Sequence, residues 1–435
     1  MGAEAVLTQA LARVVKVRAD EVRAMLWAFV YFFCLLSSYY ILRPLRDESG
    51  VAAGVGNLQW LFTGTFFVML AAVPLFGALV TRVPRRRFIP WVYRFFIVNI
   101  LIFFALLHIE QGRSYIAGAF FMWVSVFNLF VVTVFWGFMA DLFKSEQGKR
   151  LFGFIAAGGS AGALVGPTLT AALAGPLGPV NLLLISALLL EAAVQCVYRL
   201  LQTPQATRPA MAKDGTVQTS NDEIIGGGLL AGLTEIARSP YLLMICCHVL
   251  LLSLTSTFLY FQQASIVAAA FDNPAERTQV FALIDLSVGL ITIAVQFTVT
   301  GRVLVRLGVG IALSSLAVVT MAGFLALAMA PVLGVVIAFQ SLKRAVEFGF
   351  ANPARETLFT VVPREQKYKA KSFIDTAVFR GGDAVNGWIY AGLRGLGLDL
   401  SAIALVAVPI AAAWTGLLLT LGRKQEQLAQ TQPAE

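Results

Sequence analysis

Twelve long apolar runs mark the chain, near residues 24–42, 58–80, 88–107, 114–138, 151–175, 180–199, 241–270, 277–300, 308–329, 331–351, 371–394 and 399–422, with polar stretches between them. Crossing the hydrocarbon of a bilayer takes roughly 20 residues of helix, and most of the runs reach that length. In lipid such segments are helical, because no water is present to satisfy an open backbone. The pattern predicts an all-α integral membrane protein with twelve transmembrane helices.

Composition agrees with the pattern. Hydrophobic residues make up 58% of the 435 and charged residues 13%, whereas soluble domains are about one-quarter charged. The formal net charge of +9 is accounted for by its distribution. If the loops alternate between two sides, the side that holds both termini carries twenty-four Lys and Arg, and the other side carries five: Arg43, Arg46, Arg113, Arg277 and Arg394. Cytoplasmic loops concentrate such residues. The expectation is therefore a multi-pass protein of the inner, cytoplasmic membrane with both termini in the cytoplasm. The lipid bilayer is its partner, and the charge calls for no nucleic acid.

The polar segment "TPQATRPAMAKDGTVQTSNDE" divides the runs six and six. We expect an N-terminal half over 1–200, a cytoplasmic linker over 201–240, a C-terminal half over 241–422 and a cytoplasmic tail over 423–435. The halves echo one another. "FGALVTRVPRRRF" after the second run matches "VTGRVLVRLG" after the eighth in placing Gly and Arg in a basic turn. Glu146-Gln147 precedes a run with Gly158-Gly159, and Glu365-Gln366 precedes one with Gly381-Gly382. Two six-helix repeats joined by a long loop resemble the pseudo-symmetric 6+6 halves of the major facilitator architecture.

The candidate chemistry is sparse. Cys34, Cys196, Cys246 and Cys247 lie in apolar runs and read as small buried residues. His108 and His248 are far apart, so no metal site is expected. No GxxxxGK[ST] stretch marks an ATPase motor, and no nucleophile–base constellation marks an enzyme. No cofactor is implied. Gly158, Gly162 and Gly166 recur every fourth residue, as in a small-residue helix-packing face.

What remains is charge inside spans. Each such group costs about 2.5–3.5 kcal/mol on insertion scales and usually faces a cavity or a partner. The set is Arg94, Glu191, Asp285, Lys343, Arg344, Glu347, Asp375, Arg380 and Asp383, with Arg43 and Arg46 at the end of the first run. Arg43 and Arg46, three apart, share a face on a continuing helix, although Pro44 can break it. They bind an anion, or Asp47 and Glu48 neutralise them in a loop. Lys343 and Arg344 reach Glu347 at helical spacing, as a packing cluster or as part of a substrate path. Asp375, Phe379 and Asp383 fall on one stripe of an α-helix, and Arg380 can pair with Asp383. Asp285 has no charge nearby in its own helix and needs a partner elsewhere. The substrate-binding candidates are Arg43, Arg46, Lys343, Arg344 and Arg380. The coupling or charge-pairing candidates are Asp285, Glu347, Asp375 and Asp383.

"SYYILRPLRDESGV", "NLFVVTVFWGFMADLFKSEQGKRLFGFIAAGG" and "KYKAKSFIDTAVFRGGDA" resemble segments of the ATP/ADP translocases of plastids and obligate intracellular bacteria, relatives of the major facilitators. The resemblance implies a secondary transporter of an anionic small molecule by alternating access, with ATP/ADP exchange as the leading substrate. A proton-coupled transporter of another solute and a non-transporting membrane scaffold or sensor are the alternatives. It also implies that a functional lysine of the family falls on Arg46 and an acidic residue of its eighth span on Asp285. The sequence departs from the family in three places. The fourth span offers Asn128 and no carboxylate, a glutamate of the seventh falls near Ser256, and a lysine of the eleventh falls at about Asp383. Oligomeric state is left open.

Overall fold

The computed structural model describes residues 17–80, 85–143, 145–203, 236–298, 300–363, 366, 370–371 and 373–431. From residue 204 to 235 the expected linker lies outside the described residues, as do both extreme termini. All regular structure among the described residues is helical. We number the helices α1 (Ala19–Ala52), α2 (Leu58–Val80), α3 (Arg85–Leu106), α4 (Arg113–Leu142), α5 (Ser145–Leu177), α6 (Leu182–Leu201), α7 (Pro240–Ala270), α8 (Pro274–Thr298), α9 (Thr300–Met329), α10 (Leu333–Val346), α11 (Phe379–Gly395) and α12 (Leu400–Thr431).

Ten of these are long and apolar enough to cross a membrane. The other two, α10 and α11, both adjoin a π-helical segment. α10 runs into Glu347–Ala351 and then the helical Asn352–Leu358, and Ile374–Val378 leads into α11. A π-turn inserts a residue into the α-helical ladder, and such turns are frequent at functional sites.

The chain forms two compact units. The first holds 1–53, 67–217 and 272–286; the second holds 54–66, 218–271 and 287–435. α2 and α8 are therefore each divided between them. In the first unit α1 packs on α5, α6 and α4, and α3 packs on α6. In the second, α7 packs on α11 and α12, and α9 packs on α12. The pairings repeat at an interval of six helices (α1–α5 with α7–α11, α3–α6 with α9–α12), which is the internal duplication suggested by the sequence.

Glycine sets the α1–α5 contact. A Cβ on Gly162 would lie 2.5 Å from the Phe33 carbonyl oxygen, and one on Gly166 would lie 2.7 Å from Tyr40 Cβ. Only hydrogen at these positions lets the backbones approach so closely, as in small-residue interfaces generally. At the start of both helices, buried Glu21 accepts from Gln147 Nε2 at 2.8 Å and Arg150 at 3.0 Å. Its other oxygen accepts from the Arg18 backbone N–H. Apolar cores surround these contacts: Phe120, Phe127 and Phe135 in the first unit, Ile245, Phe359 and Trp414 in the second.

Candidate functional site

In the first unit the charges gather at the far end of α1. The helix does not stop at Pro44 but continues to Ala52. Proline removes one backbone hydrogen bond, a loss that packed helices tolerate. Arg43 and Arg46 therefore lie one turn apart on continuous helix. The Arg43 Nε is 3.6 Å from a carboxylate oxygen of Asp285, whose side chain is 2% exposed. Arg46 reaches Asp47 at 3.2 Å and lies 3.9 Å above the centre of the Phe121 ring, close enough for a cation–π contact. Its Nε has no hydrogen-bond partner among the described residues. Glu48 accepts from Arg277 at 2.8 Å. Each of the three arginines thus has a carboxylate beside it, and two of those contacts join α1 to the first half of α8.

The second unit builds its polar cluster around α7. Ser253 and Ser256, three apart, lie on one side of that helix. Lys343, 2% exposed, donates to Ser256 Oγ at 2.8 Å and is 3.4 Å from Glu347. Ser253 Oγ donates to Asp383 at 2.7 Å and accepts from Asn386 Nδ2 at 3.1 Å. Arg380 lies 3.6 Å from the second oxygen of Asp383. α10 and α11 thus bring a lysine and a carboxylate to the same serine-bearing helix. Arg344 is buried, with its guanidinium 5.9 Å from the Phe348 ring centre.

Asp375 stands apart from this cluster. It is ion-paired with Arg355, and neighbouring Lys371 is ion-paired with Glu356. The α-helical stripe expected to join Asp375 to Asp383 is interrupted by the π-segment Ile374–Val378. A π-turn changes the phase by about one residue, and the two carboxylates are left with different partners. The members of these two clusters that the sequence reading missed are Arg277, Ser253 and Asn386. Arg277 had a signal, being one of only five cations on the arginine-poor side. The serine and asparagine had none that separates them from ordinary polar residues in a span.

A concavity of about 960 Å³ between α2, α3 and α4 is lined by side chains such as Val68, Trp91, Phe95, Met122 and Trp123, none of them ionisable. It offers nothing to an anion. Among the described residues no group of three His, Cys, Asp or Glu is placed to hold a metal ion.

The Major Facilitator Superfamily model matches residues 24–382. The chain belongs to the Major Facilitator Superfamily. Two curated relatives are 23% identical over 87% of this chain and 83% of their own: ADP,ATP carrier protein 1 of Chlamydia trachomatis and ADP,ATP carrier protein 1 of Chlamydia muridarum. Solved structures share the fold at low identity. A POT family transporter in complex with 5-aminolevulinic acid has a TM-score of 0.63 at 11% identity, covering 93% of this chain and 96% of its own. The nucleoside transporter NupG has a TM-score of 0.57 at 14% identity, covering 94% and 99%. This facilitator is accordingly a multi-pass membrane transporter and not an enzyme, and the charges described above are those of a transporter's spans.

Proposed function

We propose that this facilitator exchanges an organic polyanion, of the ADP/ATP class, across the inner membrane by alternating access, with both termini in the cytoplasm. The carrying observation is the arginine set of the first unit. Arg43, Arg46 and Arg277 are half-buried, and each has a carboxylate beside it. Guanidinium groups present fixed donor pairs that suit phosphate and carboxylate. A polyanion that displaces Asp47 from Arg46 replaces one counter-charge of the arginine by another. The nucleotide as the polyanion is supported by the two chlamydial relatives, which are named as ADP,ATP carriers and match over most of their length.

Lys343, Arg344 and Arg380 would add positive charge from the second unit, and Asp285, Glu347, Asp375 and Asp383 would hold the cations between cycles. Proton-coupled transport of another solute is the second reading. It is favoured by Asp383, which accepts from Ser253 and has its arginine at a loose 3.6 Å. A carboxylate so placed can trade its counter-ion for a proton.

Counter-exchange in proteoliposomes tests both readings, with labelled ATP and ADP against a panel of organic anions, with and without a pH gradient. Gradient-independent ATP/ADP exchange is the expected result. Uptake of another solute driven by the gradient, with no nucleotide exchange, would replace it. Sidedness is tested separately. A cysteine at Lys424 should label only after permeabilisation, and one at Glu110 should label in intact cells.

A further inference from the structure

One charged pair takes no part in either cluster. Arg94 is midway along the 22 residues of α3, and Glu191 is midway along the 20 residues of α6. Arg94 donates to Glu191 at 3.3 Å and to the Tyr198 hydroxyl at 3.2 Å, and Gln195 donates to the same Glu191 oxygen at 2.6 Å. Among the described residues nothing covers this group fully: the arginine side chain is 49% exposed and the glutamate 38%. The surface around it is apolar. Trp91, Phe95, Val98 and Ile102 of α3 and Leu188 of α6 are all exposed, forming the stripe of a helix pair that faces lipid.

Arg94 and Glu191 face each other, as charges within spans usually do, but the pair lies inside two spans with much of both side chains still exposed, and that exposure to hydrocarbon is unfavourable. Acyl chains provide no hydrogen bonds, and lipid headgroups lie at the ends of the helices. We infer that this face is covered by a second copy of the chain, in a two-fold symmetric dimer centred on Arg94 and Glu191.

Charge selects the partner. A two-fold interface sets one patch against its own copy, so residue i meets j and j meets i. Here the patch carries one cation and one anion side by side. Rotated onto itself, it places Arg94 of one copy opposite Glu191 of the other, twice, and closes a ring of four alternating charges. Gln195 and Tyr198 supply further hydrogen-bonding groups, and the aromatic and aliphatic stripe supplies the packing. A second copy therefore satisfies every exposed polar group of the patch with groups the chain already has. The inference does not depend on the transported solute.

Two single-sign variants test it. Glu191→Lys makes the patch wholly positive, and Arg94→Glu makes it wholly negative. The wild-type chain in nanodiscs formed from native membranes should be dimeric by single-molecule photobleaching. Each variant alone should lose the dimer. Co-expressed with different tags, the two variants should recover each other, because their patches are now complementary. If a variant fails to give a monodisperse size-exclusion profile, Leu188→Cys is used. It should cross-link to a dimer with a short bismaleimide in membranes where the wild-type chain does not. A monomeric wild type, single-sign variants that dimerise as well as wild type, absence of the Leu188→Cys cross-link, or a heterologous membrane protein in place of the second copy would each overturn the proposal.

Discussion

The first unit holds its buried charges in arginine–carboxylate contacts on uninterrupted helix, whereas the second solvates a buried lysine with a serine hydroxyl and carries its charges beside π-turns. Arg43–Asp285, Arg46–Asp47 and Glu48–Arg277 lie where α1 is clamped to α5 by glycine. Lys343 and Asp383 contact Ser256 and Ser253 from helices whose ladders are broken at Glu347–Ala351 and Ile374–Val378. Beside the two charge clusters the glycine contacts differ in the same sense, although elsewhere in the second unit an added Cβ on Gly422 would lie 2.2 Å from Gly310 Cα. On Gly382 the nearest atom to an added Cβ is the Ser253 Oγ at 3.0 Å, a side-chain atom, where Gly162 meets backbone at 2.5 Å. A fixed frame suits recognition of an anion, and a ladder with extra residues suits bending.

The sharpest break in that comparison is Asp285→Asn. It strips Arg43 of its buried counter-charge, a change that typically costs about 3–5 kcal/mol for a buried pair. The thermal midpoint in detergent should fall steeply, and Asp285→Asn/Arg43→Leu should regain stability without regaining transport. Arg46→Ala comes next. Hydrogen bonds to charged groups contribute about 1.5–3 kcal/mol, so apparent affinity should fall roughly ten- to 150-fold with little loss of folded protein. Arg46→Lys should keep part of the activity, since the charge survives and the fork does not. Wild-type transport by a well-folded Arg46→Ala protein would assign this arginine to structure alone.

Gly162→Ala against Gly382→Ala measures the frame directly. Overpacking costs about 1–3 kcal/mol where the neighbours cannot move. The first substitution should lower the thermal midpoint and the second should barely change it. Equal shifts would remove the contrast between a rigid and a yielding unit. The smallest effect is expected at Asp383. With the Arg380 side chain 37% exposed, Asp383→Asn should lower stability by about 1 kcal/mol or less, the range of solvent-screened pairs. It should still impair transport more than Arg380→Ala/Asp383→Ala does, because only the single variant leaves the arginine unmatched.

Much of the fold was legible from the chain because membrane solvation forces it. Run length gave the twelve helices, and the fourfold glycine spacing gave the α5 packing face. The sequence reading ended the first span near residue 42, where charge begins, but α1 continues to Ala52. Charges end an apolar run without ending a helix when they find partners. Those partners could not be read, since Glu48 and Arg277 are 229 residues apart and no periodicity connects them. The π-turns were equally hidden: "FIDTAV" has no glycine or proline to mark one, and the placement of Asp375 depends on it. The Arg380–Asp383 contact was visible because it is local.

The contact between Glu48 and Arg277 also has a consequence in time. Ribosomes add roughly 5–20 residues per second, so the 229 residues that separate the two take about 10–50 s to make. α1 reaches the membrane first and waits for that interval with Arg43 and Glu48 lacking the carboxylate and the guanidinium that α8 later brings. The first unit is thus finished by a segment, 272–286, synthesised after the whole of α7. A nascent chain stalled before Asp272 should hold α1 in a state open to membrane chaperones and proteases, and one released beyond Leu286 should close it.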